Sequence, residues 1–158
     1  MEKVAVLLAV IGLAAACSGG TPATLALNSA SVDPSYTCPA GSVDAPYSVH
    51  GVIGLHNGTP GTVTIKSVTA LMTLAAVKGA WLEKVGDKYE AAGVTSTPSS
   101  VGPGNNASMQ VTIPSMCTRG KTTGSDTSYG EYSIGFTVTT STGTYKIQSS
   151  NLHRIVAA

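Results

Sequence analysis

The chain has 158 residues, a formal net charge of +1 and a pI near 7.7. Hydrophobic residues make up 42% of it and charged residues only 11%, against roughly 25% charged in average globular proteins. This balance excludes a highly charged disordered chain, and the basic residues Lys66, Lys78, Lys84, Lys88, Arg119, Lys121, Lys146 and Arg154 stand singly rather than in the stripe that phosphate neutralisation needs, so no nucleic-acid partner is expected. Gly, Ser, Thr, Ala and Val fill the deficit. Long helices place Glu, Lys and Arg on their wet faces, whereas strands and turns use Thr, Ser and Gly, so composition leans towards β structure.

Residues 4–16 (VAVLLAVIGLAAA) carry no charged or strongly polar side chain. As a helix they would reach about 20 Å, short of the roughly 30 Å hydrocarbon core of a bilayer, which suits the apolar core of a secretory signal better than a span. Lys3 precedes them, offset by Glu2, and small residues follow. Leu13-Ala14-Ala15-Ala16-Cys17, then Ser18-Gly19-Gly20, resembles the lipobox of bacterial lipoproteins, with Ala14 standing where that family usually has Leu. The resemblance implies cleavage before Cys17 and acylation of Cys17 by palmitate-type chains, so that membrane lipid becomes a partner and the domain sits in the cell envelope on the extracytoplasmic side. The alternative is an ordinary signal peptide cut after an Ala-x-Ala sequence, leaving a plainly secreted protein. The expected organisation is a removed leader over 1–16, a lipidated Cys and short tether over 17–23, and a single domain over 24–158. The small, polar stretch 18–24 (SGGTPAT) reaches at most about 25 Å, which would keep the domain close to the bilayer.

Of three cysteines, lipid on Cys17 leaves Cys38 and Cys117 as an even pair in an oxidising compartment, where a disulfide is the expected outcome. It would close a loop of about 80 residues, for which chain entropy gives roughly 4–5 kcal/mol.

Along the remaining chain the dominant signal is period-two alternation. A first strand is expected over 24–32. Residues 47–57 (YSVHGVIGLHN) put Val49, Ile53 and Leu55 on one face, and Asn57-Gly58-Thr59-Pro60-Gly61 reads as a turn. In 62–74, Val63 and Ile65 are followed out of phase by Val68, Ala70, Met72 and Leu74, which predicts a bulge near Lys66-Ser67. Residues 75–92 are ambiguous: Val77, Trp81 and Val85 have helical spacing, but Gly79 and Gly86 argue against a helix, leaving edge strands with a loop or one helical turn. Residues 94–107 read as a long connection. Met109, Val111 and Ile113 alternate in 108–114. Tyr132, Ile134, Phe136 and Val138 do so in 131–140, and Tyr145 and Ile147 continue the pattern after Ser141-Thr142-Gly143, which predicts a hairpin.

About seven short antiparallel strands and one disulfide indicate an all-β sandwich. The strand–Asn-Gly–Val-Thr-Ile run within 51–68 and the closing Gly-Glu-Tyr-Ser-Ile…Thr-Gly-Thr-Tyr hairpin resemble immunoglobulin-like or fibronectin-III-like modules of bacterial surface proteins. The resemblance places a tyrosine corner at Tyr132, but no Trp stands on a middle core strand and the cysteines are not on the pair that antibody domains bridge. It is a likeness of architecture and brings no activity with it.

No catalytic, metal or cofactor residues are assigned. His50 and His56 are six strand residues apart, about 20 Å, too far to share an ion. The carboxylates Asp33, Asp44, Glu83, Asp87, Glu90, Asp126 and Glu131 form no acid/base pair or calcium loop, and Gly-x-Ser-x-Gly is absent. Trp81 with Tyr89 is the candidate ligand-binding pair, its alternative being a place in the core or at the domain rim. The expected function is a membrane-anchored, non-enzymatic binding or structural module of the cell envelope, contacting an unknown protein or envelope polymer. The competing readings are a carbohydrate-binding module using Trp81 and Tyr89, or a secreted adhesion domain.

Overall fold

The computed structural model describes residues 23–41, 44–117 and 128–157. The leader over 1–16, Cys17 and nearly all of the expected tether lie outside the described residues. Eleven strands are present among those described: β1 (Leu25–Val32), β2 (Ser35–Thr37), β3 (Ala45–Asn57), β4 (Val63–Lys78), β5 (Lys88–Glu90), β6 (Thr95–Thr97), β7 (Ser100–Val101), β8 (Asn106–Cys117), β9 (Tyr129–Thr140), β10 (Thr144–Gln148) and β11 (His153–Val156). Seven of these are four residues or longer, the number expected from alternation.

One sheet has the order β1-β3-β8-β6 and the other β2-β11-β9-β4-β5, with β10 also on β9 and β7 on β4. Strand β9 pairs along its length with β4 on one side; on the other it meets β10 at Gly135–Thr139 and β11 at Tyr129–Tyr132. Strands β10 and β11 are therefore one edge-ward strand broken at Ser149–Leu152. With that break closed, the two sheets have the A-B-E-D and G-F-C orders of an immunoglobulin-like sandwich. All pairings are antiparallel except β2 with β11.

The two inner faces meet through the alternating residues. Val49, Ile53 and Leu55 of β3 and Met109, Val111 and Ile113 of β8 face Val63, Val68, Ala70, Met72 and Leu74 of β4 and Ile134, Phe136 and Val138 of β9, all buried. Each large aliphatic or aromatic side chain so buried stabilises the fold by roughly 1.5–3 kcal/mol. The phase change in β4 is a bulge: pairing with β9 slips between Ile65 and Ser67, so Lys66 faces water while Val68 returns to the core. A second slip lies between Leu74 and Ala76. The predicted hairpin forms, with Thr144 opposite Thr139 and Thr140 N–H bonded to the Gly143 carbonyl at 2.8 Å.

Residues 75–92 resolve as the end of β4, a tight loop and β5, with no helix. The long connection expected over 94–107 is instead partly paired. Strand β6 sits on β8 and β7 crosses to β4, so this segment carries the chain from one sheet to the other. Cys38 and Cys117 are bonded, and they tie the segment after β2 to the last residue of β8, across the two sheets.

Candidate functional site

Two networks of polar side chains pack against the sandwich, one around buried His153 and one around buried Ser128. The first lies at the bend where the chain leaves β1 for β2. The Asp33 N–H donates to the His50 carbonyl at 2.8 Å, and the Asp33 carboxylate accepts from the His50 N–H at 2.9 Å and lies 3.0 Å from His50 Nδ1. The Asp33 carbonyl accepts from His153 Nδ1 at 2.7 Å. His153 is 1% exposed and its ring is followed by Tyr47 (centroids 6.1 Å apart) and then Tyr36, stacked on Tyr47 at 4.1 Å. His153 Nε2 and the Tyr47 hydroxyl have no hydrogen-bond partner, although the Ser115 side chain lies beside that hydroxyl. Burial pushes the Tyr47 phenol up to about 12 and holds His153 below the usual imidazole range, the bond to the Asp33 carbonyl opposing the latter shift. The ladder thus joins three strands, β11 through His153, β3 through Tyr47 and β2 through Tyr36.

The second lies at the β4–β5 loop. Gly79 takes a positive φ of 71° against Ser128, whose hydroxyl accepts from the Ala80 N–H at 3.1 Å. This turn folds the half-buried Trp81 indole over Gly130, where a Cβ would lie 2.6 Å from the ring. The indole N–H reaches the Tyr132 hydroxyl at 3.2 Å, and Tyr132 donates to the Glu83 carboxylate. Burial first, and then that bond to an anion, keep the Tyr132 phenol protonated. The tyrosine corner expected at Tyr132 is therefore not formed. Its hydroxyl turns to the loop's side chains rather than to backbone, because Glu83 and Trp81 fold back beneath it.

The sequence-derived residues fare differently. Cys17 lies outside the described residues, and Cys38 and Cys117 are joined. Trp81 is engaged at the rim of the core, whereas Tyr89, opposite Met72 at the edge of the sheet, is 46% exposed. His56 Nδ1 meets Asn106 Oδ1 at 2.9 Å. Among the described residues no three His, Cys, Asp or Glu side chains gather as a metal-binding group. A shallow open groove on the outer face of the β4–β9–β10 sheet runs over Gly135 between Leu71 and Gln148.

Sequence reasoning missed two residues that tie loops to the sheets. Asn57, fully buried, donates its amide to the Gly61, Val101 and Gly102 carbonyls and accepts from the Thr59 N–H and hydroxyl. Asn151, in the break between β10 and β11, pairs its amide with both the N–H and the carbonyl of Val32, closing part of the β1 edge. The Asn-Gly turn signal marked the first by position only, and nothing local marked the second.

No protein-family model and no curated protein matches this chain. Among solved structures it is similar to the PapD-like domain 7 of human CEP192, at 13% identity over 99% of this chain and 95% of that one, with a TM-score of 0.30. It is also similar to AggA, the major subunit of aggregative adherence fimbriae type I from Escherichia coli (11% identity, 85% of this chain and 95% of that, TM-score 0.37). A third is the CooA pilin subunit of enterotoxigenic Escherichia coli (9%, 83% and 98%, TM-score 0.29). These scores are low, and the fold assignment rests on strand order and register.

Proposed function

We propose that the chain is an extracytoplasmic, non-enzymatic interaction module held to a membrane by lipid on Cys17. One observation carries the reading: Cys38 and Cys117 form an inter-sheet disulfide, 7% and 1% exposed, which leaves Cys17 as the one cysteine outside it, directly after Leu13-Ala14-Ala15-Ala16. A disulfide of this kind belongs to an oxidising compartment, and a Cys outside it at the end of a signal sequence is the place for an anchor. The ligand is a protein or an envelope polymer met through loops or sheet edges. Replacing Cys17 with Ser tests the anchor: the reading requires the protein to move from the membrane fraction to the soluble extracytoplasmic fraction, and retention in the membrane overturns it.

The carbohydrate reading draws on the exposure of Tyr89 alone, since the Trp81 indole is engaged with Gly130, Tyr132 and Glu83. Glycan retention that is lost in Tyr89→Ala with stability unchanged would favour it.

A further inference from the structure

The two sheets of the sandwich differ in charge. Strands β1, β3, β6 and β8, of 8, 13, 3 and 12 residues, contain no Asp, Glu, Lys or Arg, although the chain as a whole is 11% charged. The strands of the other sheet carry Lys66, Lys88, Glu90, Glu131, Lys146 and Arg154. Water-facing surfaces are rich in such groups, whereas the centres of protein interfaces are depleted of them. Two carboxylates border the uncharged sheet: Asp33, which His50 holds, and Asp44, just before β3.

The uncharged sheet is also regular and low in relief. Strands β3 and β8 pair without a register shift from Ala45 opposite Cys117 to His56 opposite Asn106. Many of the side chains that face outward from them are short, among them Ser48, Ser108 and Thr112. Val52 is 37% exposed near the middle of the face, between Ser31 and Gln110, and Met116 is 51% exposed at one end, opposite Pro46.

These features select a second copy of the chain as the occupant. Of Phe, Tyr and Trp the four strands hold only Tyr47, whose buried ring stacks on Tyr36, so they offer no platform for a sugar ring. The groove over Gly135 lies on the other sheet. A charged partner finds nothing on these strands to pair with, while a second copy brings the same uncharged plate and meets no repulsion there. At about 3.4 Å per residue and about 4.8 Å between strands, the four strands span roughly 600 Å². Two copies face to face cover about 1,200 Å², the lower limit for a stable specific interface.

We infer that the outer face of the β1-β3-β8-β6 sheet is a self-association surface, on which a second copy packs sheet to sheet as a two-fold pair. Val52 stands near the middle of the plate, so such a pairing brings the two Val52 side chains towards each other. A small contact area with few apolar groups gives a reversible dimer of micromolar strength. The inference uses residues of the sandwich alone and is independent of the lipid anchor.

The test uses the exported chain with Cys17→Ser, so that neither lipid nor a disulfide through Cys17 joins two copies. Sedimentation velocity between about 1 and about 500 μM should show monomer passing to dimer, with a dissociation constant of about 10–100 μM. Val52→Lys and Gln110→Lys each set like charges against one another across the pair. Each should raise the constant at least about tenfold, with the thermal midpoint unchanged because both side chains are exposed. Thr69→Lys, exposed on the other sheet, should leave the constant unaltered. A monomer throughout that range overturns the proposal, as does a dimer that both Val52→Lys and Gln110→Lys leave intact or that Thr69→Lys abolishes.

Discussion

His153 Nδ1 donates to the main-chain carbonyl of Asp33 at 2.7 Å, joining residues 120 positions apart in the chain. The bond holds the bend at which the chain leaves β1 of one sheet for β2 of the other, and strand β2 in turn leads to the Cys38–Cys117 bond. The imidazole is neutral because it is buried, with the Tyr47 ring on one side and the Asp33 carbonyl and carboxylate nearby.

Acid should therefore loosen this bend. Burial lowers the folded-state pKa of His153 below its unfolded value near 6.5, so the unfolded chain binds more protons in the window between the two. The contribution is fully present above about pH 6.5 and is lost as pH falls through the folded value, with a slope of up to roughly 1.4 kcal/mol per pH unit. Urea unfolding at a series of pH values should show stability falling below pH 6.5. His153→Asn, which keeps a donor near Nδ1 but does not titrate, should flatten that part of the profile; an unchanged slope would contradict the assignment.

Asn57→Ala should be among the most destabilising single changes in the chain. It leaves the Val101, Gly61 and Gly102 carbonyls without the amide donor and opens a small void, for a cost of about 2–4 kcal/mol. The urea midpoint is the readout, and a loss below about 1 kcal/mol would show that the hub is dispensable.

Gly130→Ala probes the seat of Trp81. The added Cβ would fall 2.6–2.8 Å from three indole atoms, and the ring cannot give way without leaving Tyr132. Since the chain has a single Trp, its fluorescence reports on this residue alone. A red shift towards the solvent value is expected, with about 1–3 kcal/mol of destabilisation. An emission maximum that stays put would mean that the indole does not rest there.

Much of the body of the sandwich was legible in the residue pattern. Alternation in 108–114 and 131–140 placed the inward side chains correctly, and the phase slip between Ile65 and Val68 located a bulge, because one buried face makes register visible in composition. Strands β6 and β7 were not legible: three and two residues long, they are defined by partners on β8 and β4 rather than by any local pattern among Ser, Thr and Pro. The Tyr132 hydroxyl was misread for a related reason. Strand position says that such a residue is buried at one end, but where its hydroxyl goes depends on a loop some 50 residues earlier. The link between His153 and Asp33 had no signal in the sequence, since single histidines on strands look alike until the neighbouring strand is known.

Strand β2 and the end of β8 are held by the disulfide as well as by packing. Cys38→Ala/Cys117→Ala should fold but lose about 2–4 kcal/mol, measured by urea unfolding against the oxidised parent. Indistinguishable midpoints would remove the bond from the account of stability.

The role given to the three sulfurs is tested most directly by mass spectrometry of protein taken from its native membrane and digested without reductant. The account predicts an N-terminal peptide that begins at a diacylated Cys17, together with a cross-linked peptide joining Cys38 to Cys117. An unmodified Cys17 accompanied by free thiols at Cys38 and Cys117 would contradict both the anchoring and the compartment.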